Sequence, residues 1–326
     1  MIIRDLSGLI ALLGFSVSVK AEKADIISSQ ASFQLCSIVD QQSGESLSTL
    51  NTDGTIGSSI KLTEDAISGV FAGNASSGRY FYSPPFAQQN TDGLFEINTA
   101  TKTVIKYKLE SPTGYSGDYT ITSLQASENE GDVIALLTEN YNAWYAIAEL
   151  TPSDGVPRVR ANLTAYNFQS FDGAVYDSQT RSSWILAQTS SVGGFFRVPL
   201  DNPPAILLNA SLPDKFGLIG STFCGRSVVV VGLVTEPNTY GLMALDANTL
   251  KWRNLITWSK DTFYLSGLGE MTCDPSGRIA YSVLSNATGN HVILGVDVIT
   301  GKETSRLVMK DAGILVGSLA FCPSTF

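Results

Sequence analysis

The residues best suited to chemistry in this chain are six aspartates, a set of aromatic side chains and one histidine. Asp65, Asp118, Asp172, Asp214, Asp261 and Asp311 each come a few residues before a short apolar run. Carboxylates placed so regularly can cap turns, because an Asp side chain hydrogen-bonds its own nearby backbone. They can also stand in a ring that binds Ca²⁺ or moves protons. Both readings stay open on the sequence, and Asp118 and Asp172 are the acid–base candidates.

The segments between the apolar runs are unusually aromatic. "SPPFAQQ", "TGYSGDYT", "ENYNAWY", "AYNFQSFD", "LPDKFG", "TEPNTYG" and "SKDTFYLSG" contribute Phe86, Tyr115, Tyr119, Tyr141, Trp144, Tyr166, Phe168, Phe171, Phe216, Tyr240, Phe263 and Tyr264. Connecting segments are mostly polar. Rings concentrated there either fill wedges between packed sheets or line a pocket for an apolar, unsaturated small molecule. Tyr115, Tyr166 and Tyr264 carry hydroxyls able to polarise a ligand oxygen as charge develops on it.

The single histidine, His291, rules out a multi-histidine metal site and leaves a nucleophilic triad only one choice of base. It opens the apolar run "HVILGVD", a structural place, and no "GxSxG" elbow accompanies it. No phosphate loop or dinucleotide fingerprint is present. A bound cofactor is therefore not expected, except Ca²⁺ if the acids form a ring.

Elements of one kind must position these residues. Helical periodicity is nearly absent after the first ~25 residues, and short apolar or alternating runs separated by polar turns recur instead. The repeat is close to ~50 residues, the period of a four-stranded propeller blade. Five blades can be laid out from "SGVFAGN" to "KETSRLVM". The remainder is three strands near the N-terminus ("FQLCSIVD", "SLSTLNT", "IGSSIKL") and one at the C-terminus ("LVGSLAFC"). Together these make a sixth blade. The expected fold is all-β: a six-bladed β-propeller closed by N-terminal strands pairing with the C-terminal strand, which leaves no exposed sheet edge. Two stacked sandwiches are the alternative.

The cysteines fit this layout. Cys224, Cys273 and Cys322 recur at intervals of 49 residues, whereas Cys36 lies near the other end of the chain. Cys322 ends the inner strand of the closing blade and Cys36 sits on its neighbour. A Cys36–Cys322 disulfide would latch the ring and stabilise it by roughly 4–5 kcal/mol in the chain-entropy account. Cys224 and Cys273 take equivalent places in adjacent blades, as a second bridge or as buried thiols.

The N-terminus reads as a secretory signal over residues 1–21, with Arg4, the apolar core "LIALLGFSVSV" and small residues at Val19 and Ala21. One propeller domain then spans 22–326. Sequons at Asn74, Asn162, Asn209 and Asn286 agree with passage through the secretory pathway to an extracellular destination. After signal cleavage no membrane span is expected. The net charge of −9 and the absence of Lys/Arg clusters argue against nucleic acid.

The blade pattern of "GAVYDSQTRSSWILAQTSSVGGFFRVPLD" and "MTCDPSGRIAYSVLSNATGNHVILGVDVITGKE" resembles the gluconolactonase-like six-bladed propellers. It is most similar to their secreted fungal relatives, a group that includes hetero-Diels–Alderases of tropolone sesquiterpenoid biosynthesis. The likeness spans roughly residues 30 to 326. It implies an enzyme of secondary metabolism, joining a tropolone-derived quinone methide to a humulene-type alkene in an aromatic pocket. The lactonase branch implies instead a metal-dependent lactonase or esterase of the gluconolactonase type, with Ca²⁺ as the candidate metal. A non-catalytic ligand-binding propeller is the third reading.

Overall fold

The computed structural model describes residues 33–41, 43–64, 66–67, 69–84, 93–127, 132–139, 144–189, 193–201, 208–235, 239–259, 263–264, 271–310 and 314–326. The expected signal segment, Phe86, Tyr141, Asp65, Asp261 and Asp311 lie outside the described residues.

Six antiparallel sheets form the ring. The closing blade holds β1 (Phe33–Gln41), β2 (Gly44–Leu50) and β3 (Ile56–Lys61), with β25 (Leu315–Pro323) innermost. Blade 1 is β4 (Val70–Asn74), β5 (Arg79–Ser83), β6 (Leu94–Asn98) and β7 (Thr103–Tyr107). Blade 2 is β8 (Tyr119–Ala126), β9 (Val133–Glu139), β10 (Tyr145–Leu150) and β11 (Arg158–Asn162). Blade 3 is β12 (Ser170–Asp177), β13 (Ser182–Gln188), β14 (Gly193–Pro199) and β15 (Leu208–Ser211). Blade 4 is β16 (Phe216–Cys224), β17 (Ser227–Val234), β18 (Thr239–Asp246) and β19 (Trp252–Ser259).

Blade 5 differs from the expected four strands. Its inner position is shared by β20 (Phe263–Tyr264) and β21 (Met271–Cys273), which both pair with β22 (Ile279–Asn286). β23 (His291–Asp297) and β24 (Glu303–Val308) complete it. Inner strands touch in the order β25, β4, β8, β12, β16, β21 and back to β25, so the ring closes.

Strand alternation explains the packing. Successive residues face opposite sides of a sheet, and each propeller sheet is covered on both sides by a neighbour. Tyr80 and Tyr82 therefore enter the core shared with the closing blade, while Phe81 enters the core shared with blade 2. In "SVVVVG", Val228 and Val230 pack against blade 3, and Val229 and Val231 against blade 5. Six such cores, one per wedge, hold the ring. Each fully buried large aliphatic side chain contributes about 1.5–3 kcal/mol.

Both disulfides form. Cys36–Cys322 has a Cα separation of 5.9 Å and joins β1 to β25 within the closing blade. Cys224–Cys273 has a separation of 5.3 Å and ties the inner strands of blades 4 and 5. No described helix is long and apolar enough to cross a membrane.

Candidate functional site

A cavity of about 670 Å³ runs along the propeller axis, lined by all six inner strands. That size suits a small-molecule ligand. Its wall is largely uncharged and rich in hydroxyls, including Ser76, Thr122, Ser123, Ser127, Ser221, Thr222 and Ser318. Phe33, Phe71, Phe223 and Phe321 add apolar surface. Among the described residues that line it, Asp172 is the only charged one.

A repeated irregularity aims side chains at this cavity. In β8, Ile121 pairs with Leu137 and Ser123 with Leu136, leaving Thr122 as an extra residue. In β12, Asp172 is extra between Phe171 and Gly173. In β16, Ile219 is extra between Leu218 and Gly220. In β25, Gly317 and Ser318 together oppose Ile38. Bulges bend a strand, leave the extra residue out of the ladder and re-aim its side chain. Thr122, Asp172, Ile219 and Ser318 all line the cavity.

This bears on the two readings of the aspartates. Among the described residues, turn capping is seen at other aspartates. Asp177, Asp246 and Asp297 each accept backbone N–H groups two and three residues on. The backbone N–H of Thr300, with Arg278 helping, holds the Asp297 carboxyl down at about 2. Asp172 makes no hydrogen bond to another described residue. It is exposed to the cavity as a free carboxylate. Asp118 is half-buried and Asp214 exposed at the equivalent junctions, and neither lines the cavity.

The aromatic residues sort by wedge. Between blades 1 and 2, Trp144 lies edge-on to Tyr115 at 4.9 Å and 5.9 Å from Tyr119. Its indole N–H donates to the Ser116 carbonyl, and the Tyr119 hydroxyl donates to that of Glu110. Burial raises the pKa of both the Tyr115 and the Tyr119 phenols. Between blades 2 and 3, Phe168 packs on Tyr166, Phe171 and Phe196. Phe216 packs between blades 3 and 4, and Tyr240 against the core of blades 4 and 5. Tyr119, Phe171, Asp172, Phe216 and Tyr240 stand on strands rather than in connections, because the inner strands β8, β12 and β16, and β18 of blade 4, begin earlier than the apolar runs suggest. For Phe263 and Tyr264 only the backbone is described, paired to Asn286 and Ser285. Among the described side chains, none of these rings lines the cavity.

The cavity residues that sequence reasoning passed over come from the inner strands themselves. The signal was present in "TITSLQAS", "GSTFC" and "VGSLAFC", where small hydroxyl residues recur at the strand nearest the axis.

A lactonase-type metal does not fit the described residues. The one cluster with metal-ligand spacing is Cys224, Cys273 and Asp274, and its two sulfurs are bonded to each other. Asp118, Asp172 and Asp214 do not converge on a common point. No step is therefore derived through Ca²⁺.

His291 lies on β23, away from the cavity wall, with Nδ1 buried and unpartnered. Burial lowers its pKa. The unfolded chain thus binds the proton more readily than the folded one. The stability that follows is full above pH ~6.5 and is lost as pH falls from there through the folded pKa. We expect His291→Asn to flatten the stability decline on the acid side of pH 6.5, read by urea unfolding at stepped pH. An unchanged decline would assign it elsewhere.

Of the four sequons, Asn162 and Asn209 are exposed. Asn74 and Asn286 each accept a hydrogen bond from the sequon hydroxyl, Ser76 at 2.6 Å and Thr288 at 2.7 Å. Asn74 lies at the cavity rim.

No described protein family matches the sequence, and no curated protein matches it. Solved structures do. TolB from Acinetobacter baumannii is similar with a TM-score of 0.65 at 12% identity, over 89% of this chain and 67% of that one. A chain of a nidogen/laminin complex reaches 0.59 at 9% identity, over 89% and 98%. The periplasmic gluconolactonase PpgL of Pseudomonas aeruginosa reaches 0.49 at 12% identity, over 89% and 99%. At these identities the likeness establishes the propeller fold, and function rests on the site itself.

Proposed function

We propose that this protein is a secreted small-molecule cyclase acting inside the propeller channel, of the hetero-Diels–Alderase type. The observation that carries the reading is a cavity whose described wall is uncharged apart from one carboxylate, Asp172. Without Lys, Arg or His on the described wall, a phosphorylated or carboxylate substrate finds no partner there. An uncharged, partly apolar molecule does.

Cycloaddition asks for what this site offers. The π electrons of a heterodiene and an alkene become one new C–C and one new C–O σ bond, with no atom lost and no nucleophile required. The enzyme's task is to hold two partners in register, which can supply several kcal/mol of the barrier. Phe33, Phe71 and Phe321, from the closing blade and blade 1, give the apolar partner a surface. Asp172 suits the preceding step. Its carboxylate takes the ring hydroxyl proton of a tropolone alcohol and passes it to the departing hydroxyl group. That group leaves as water, the quinone methide forms and the carboxylate is regenerated. Tyr115, Tyr166 and Tyr264 remain proposed donors, with the aromatic residues of the connections as entry contacts. The two disulfides suit an oxidising compartment. Glycans on the sequons and a cleaved signal belong to the same proposal.

The test is to incubate the purified protein with a tropolone alcohol and a humulene-type alkene. Faster and more stereoselective adduct formation than in buffer is expected. Equal rate and equal stereochemistry would remove the idea.

A further inference from the structure

The cavity wall between blades 2 and 3 contains a hydrogen-bond relay that the reading above leaves unused. Gln125 on β8 lines the cavity and is 7% exposed. Ser123, on the same strand, donates its hydroxyl proton to the Ala174 carbonyl of β12 at 3.2 Å. That proton is its only one, so toward Gln125 the Ser123 oxygen can only accept. The amide group facing it at 3.5 Å is therefore the NH₂. The amide oxygen then faces Ser183 of blade 3, whose hydroxyl donates to it at 3.3 Å. Ser183 is fully buried and makes no other side-chain hydrogen bond to a described residue.

Two serines on two blades thus fix which way round this amide sits. A terminal amide has two N–H donors. One reaches Ser123 at the outer limit of hydrogen-bond length. The other has no partner among the described residues. Buried donors are almost always paired, and the residue that carries this one lines a cavity large enough for a ligand.

We infer that Gln125 Nε2 is the donor that binds the carbonyl-type oxygen of the substrate. The inference rests on the proposal that the channel holds an uncharged, unsaturated small molecule, and it narrows the class. A neutral amide donor matches a neutral ketone, lactone or tropolone oxygen. The wall also carries Asp172, two residues before Ala174 on β12. A carboxylate there disfavours an anionic ligand and accepts a hydroxyl proton. A donor and an acceptor on one wall select a conjugated hydroxy-ketone over a plain hydrocarbon or an acid.

Tropone, which has the carbonyl without the hydroxyl, isolates the Gln125 contact. We would titrate ¹³C-carbonyl tropone into the wild-type protein, Gln125→Leu, Gln125→Glu and Ser183→Ala, reading affinity and the carbonyl stretch by difference infrared spectroscopy. The wild-type protein should shift the stretch to lower wavenumber. Gln125→Leu and Gln125→Glu should lose that shift and bind about tenfold more weakly, the size of one lost hydrogen bond. Ser183→Ala should broaden the band, since the amide is then free to turn. Gln125→Glu keeps the side-chain volume and serves where the leucine variant fails to fold. Binding with unchanged affinity and stretch in both Gln125 variants would overturn the inference and leave the channel reading standing. No binding of tropone to the wild-type protein would overturn both.

Discussion

Asp172→Asn is expected to slow product formation from a tropolone alcohol by at least about 100-fold, the usual size of a general acid–base contribution. With the quinone methide released from a separate precursor in the reaction, the same variant should form adduct at close to the wild-type rate. The two outcomes divide the reaction at one atom. Dehydration needs a group that takes a proton and returns it, and an amide cannot do that. Cycloaddition needs shape and hydrogen bonds, which the substitution leaves in place. The variant is also a fair one structurally. Asp172 is an extra residue in the β12 ladder, is exposed to the cavity and holds no described partner. Its replacement by an isosteric amide therefore breaks no buried pair and should alter stability little. Equal loss in both assays would mean that Asp172 positions the substrate instead. No loss in either would overturn the acid–base role of Asp172.

The blades were legible in the sequence because two periods are superimposed there. Alternation of apolar residues marks each strand, and the ~50-residue recurrence marks each blade. The equal cysteine spacing and the one-plus-three remainder then placed Cys36 beside Cys322. Both signals come from covalent order along the chain, which a linear reading captures. The cavity was less legible. Its wall depends on bulges, and a bulge adds one residue without changing the hydrophobic pattern around it. Gly173, Gly220 and the Gly317–Ser318 pair mark the bulges of "FDGAV", "LIGST" and "LVGSL", a cue visible only after the registers are known. The aromatic residues illustrate the converse. Their concentration near one face was plain, but whether a ring fills a wedge or faces an opening depends on which side of a twisted strand it leaves. Trp144 and Phe168 leave toward a neighbouring blade. Gln125 shows the same limit: nothing in "TSLQAS" announces that Ser183, 58 residues on, orients its amide.

The second large effect concerns the seam of the ring. Cys36→Ala/Cys322→Ala should lower the unfolding free energy by about 4–5 kcal/mol, and Cys224→Ala/Cys273→Ala by about 1.5 kcal/mol less. The difference follows from loop length. The first bridge spans 286 residues and the second 49, and the entropy released to the unfolded chain grows with the logarithm of that length. Topology adds to this in the same direction. Blades 1 to 5 are each one continuous stretch of chain, whereas the closing blade joins both ends. Opening that seam would expose two wedges at once, the core with blade 1 around Tyr80 and Tyr82 and the core with blade 5 around Val283 and Ile293. The backbone ladder of β1 on β25 opposes the opening without any disulfide. Urea unfolding of the two double variants under identical conditions separates the contributions. A midpoint lower for Cys36→Ala/Cys322→Ala by more than loop length predicts would make the latch the main guard of the ring, and because β25 lines the cavity, the proposed cyclase activity should fall with it as temperature rises. A difference no larger than the ~1.5 kcal/mol set by loop length would mean that strand pairing and the two wedges close the ring by themselves, with the disulfide adding only its share of chain entropy, and equal midpoints would overturn the loop-length argument.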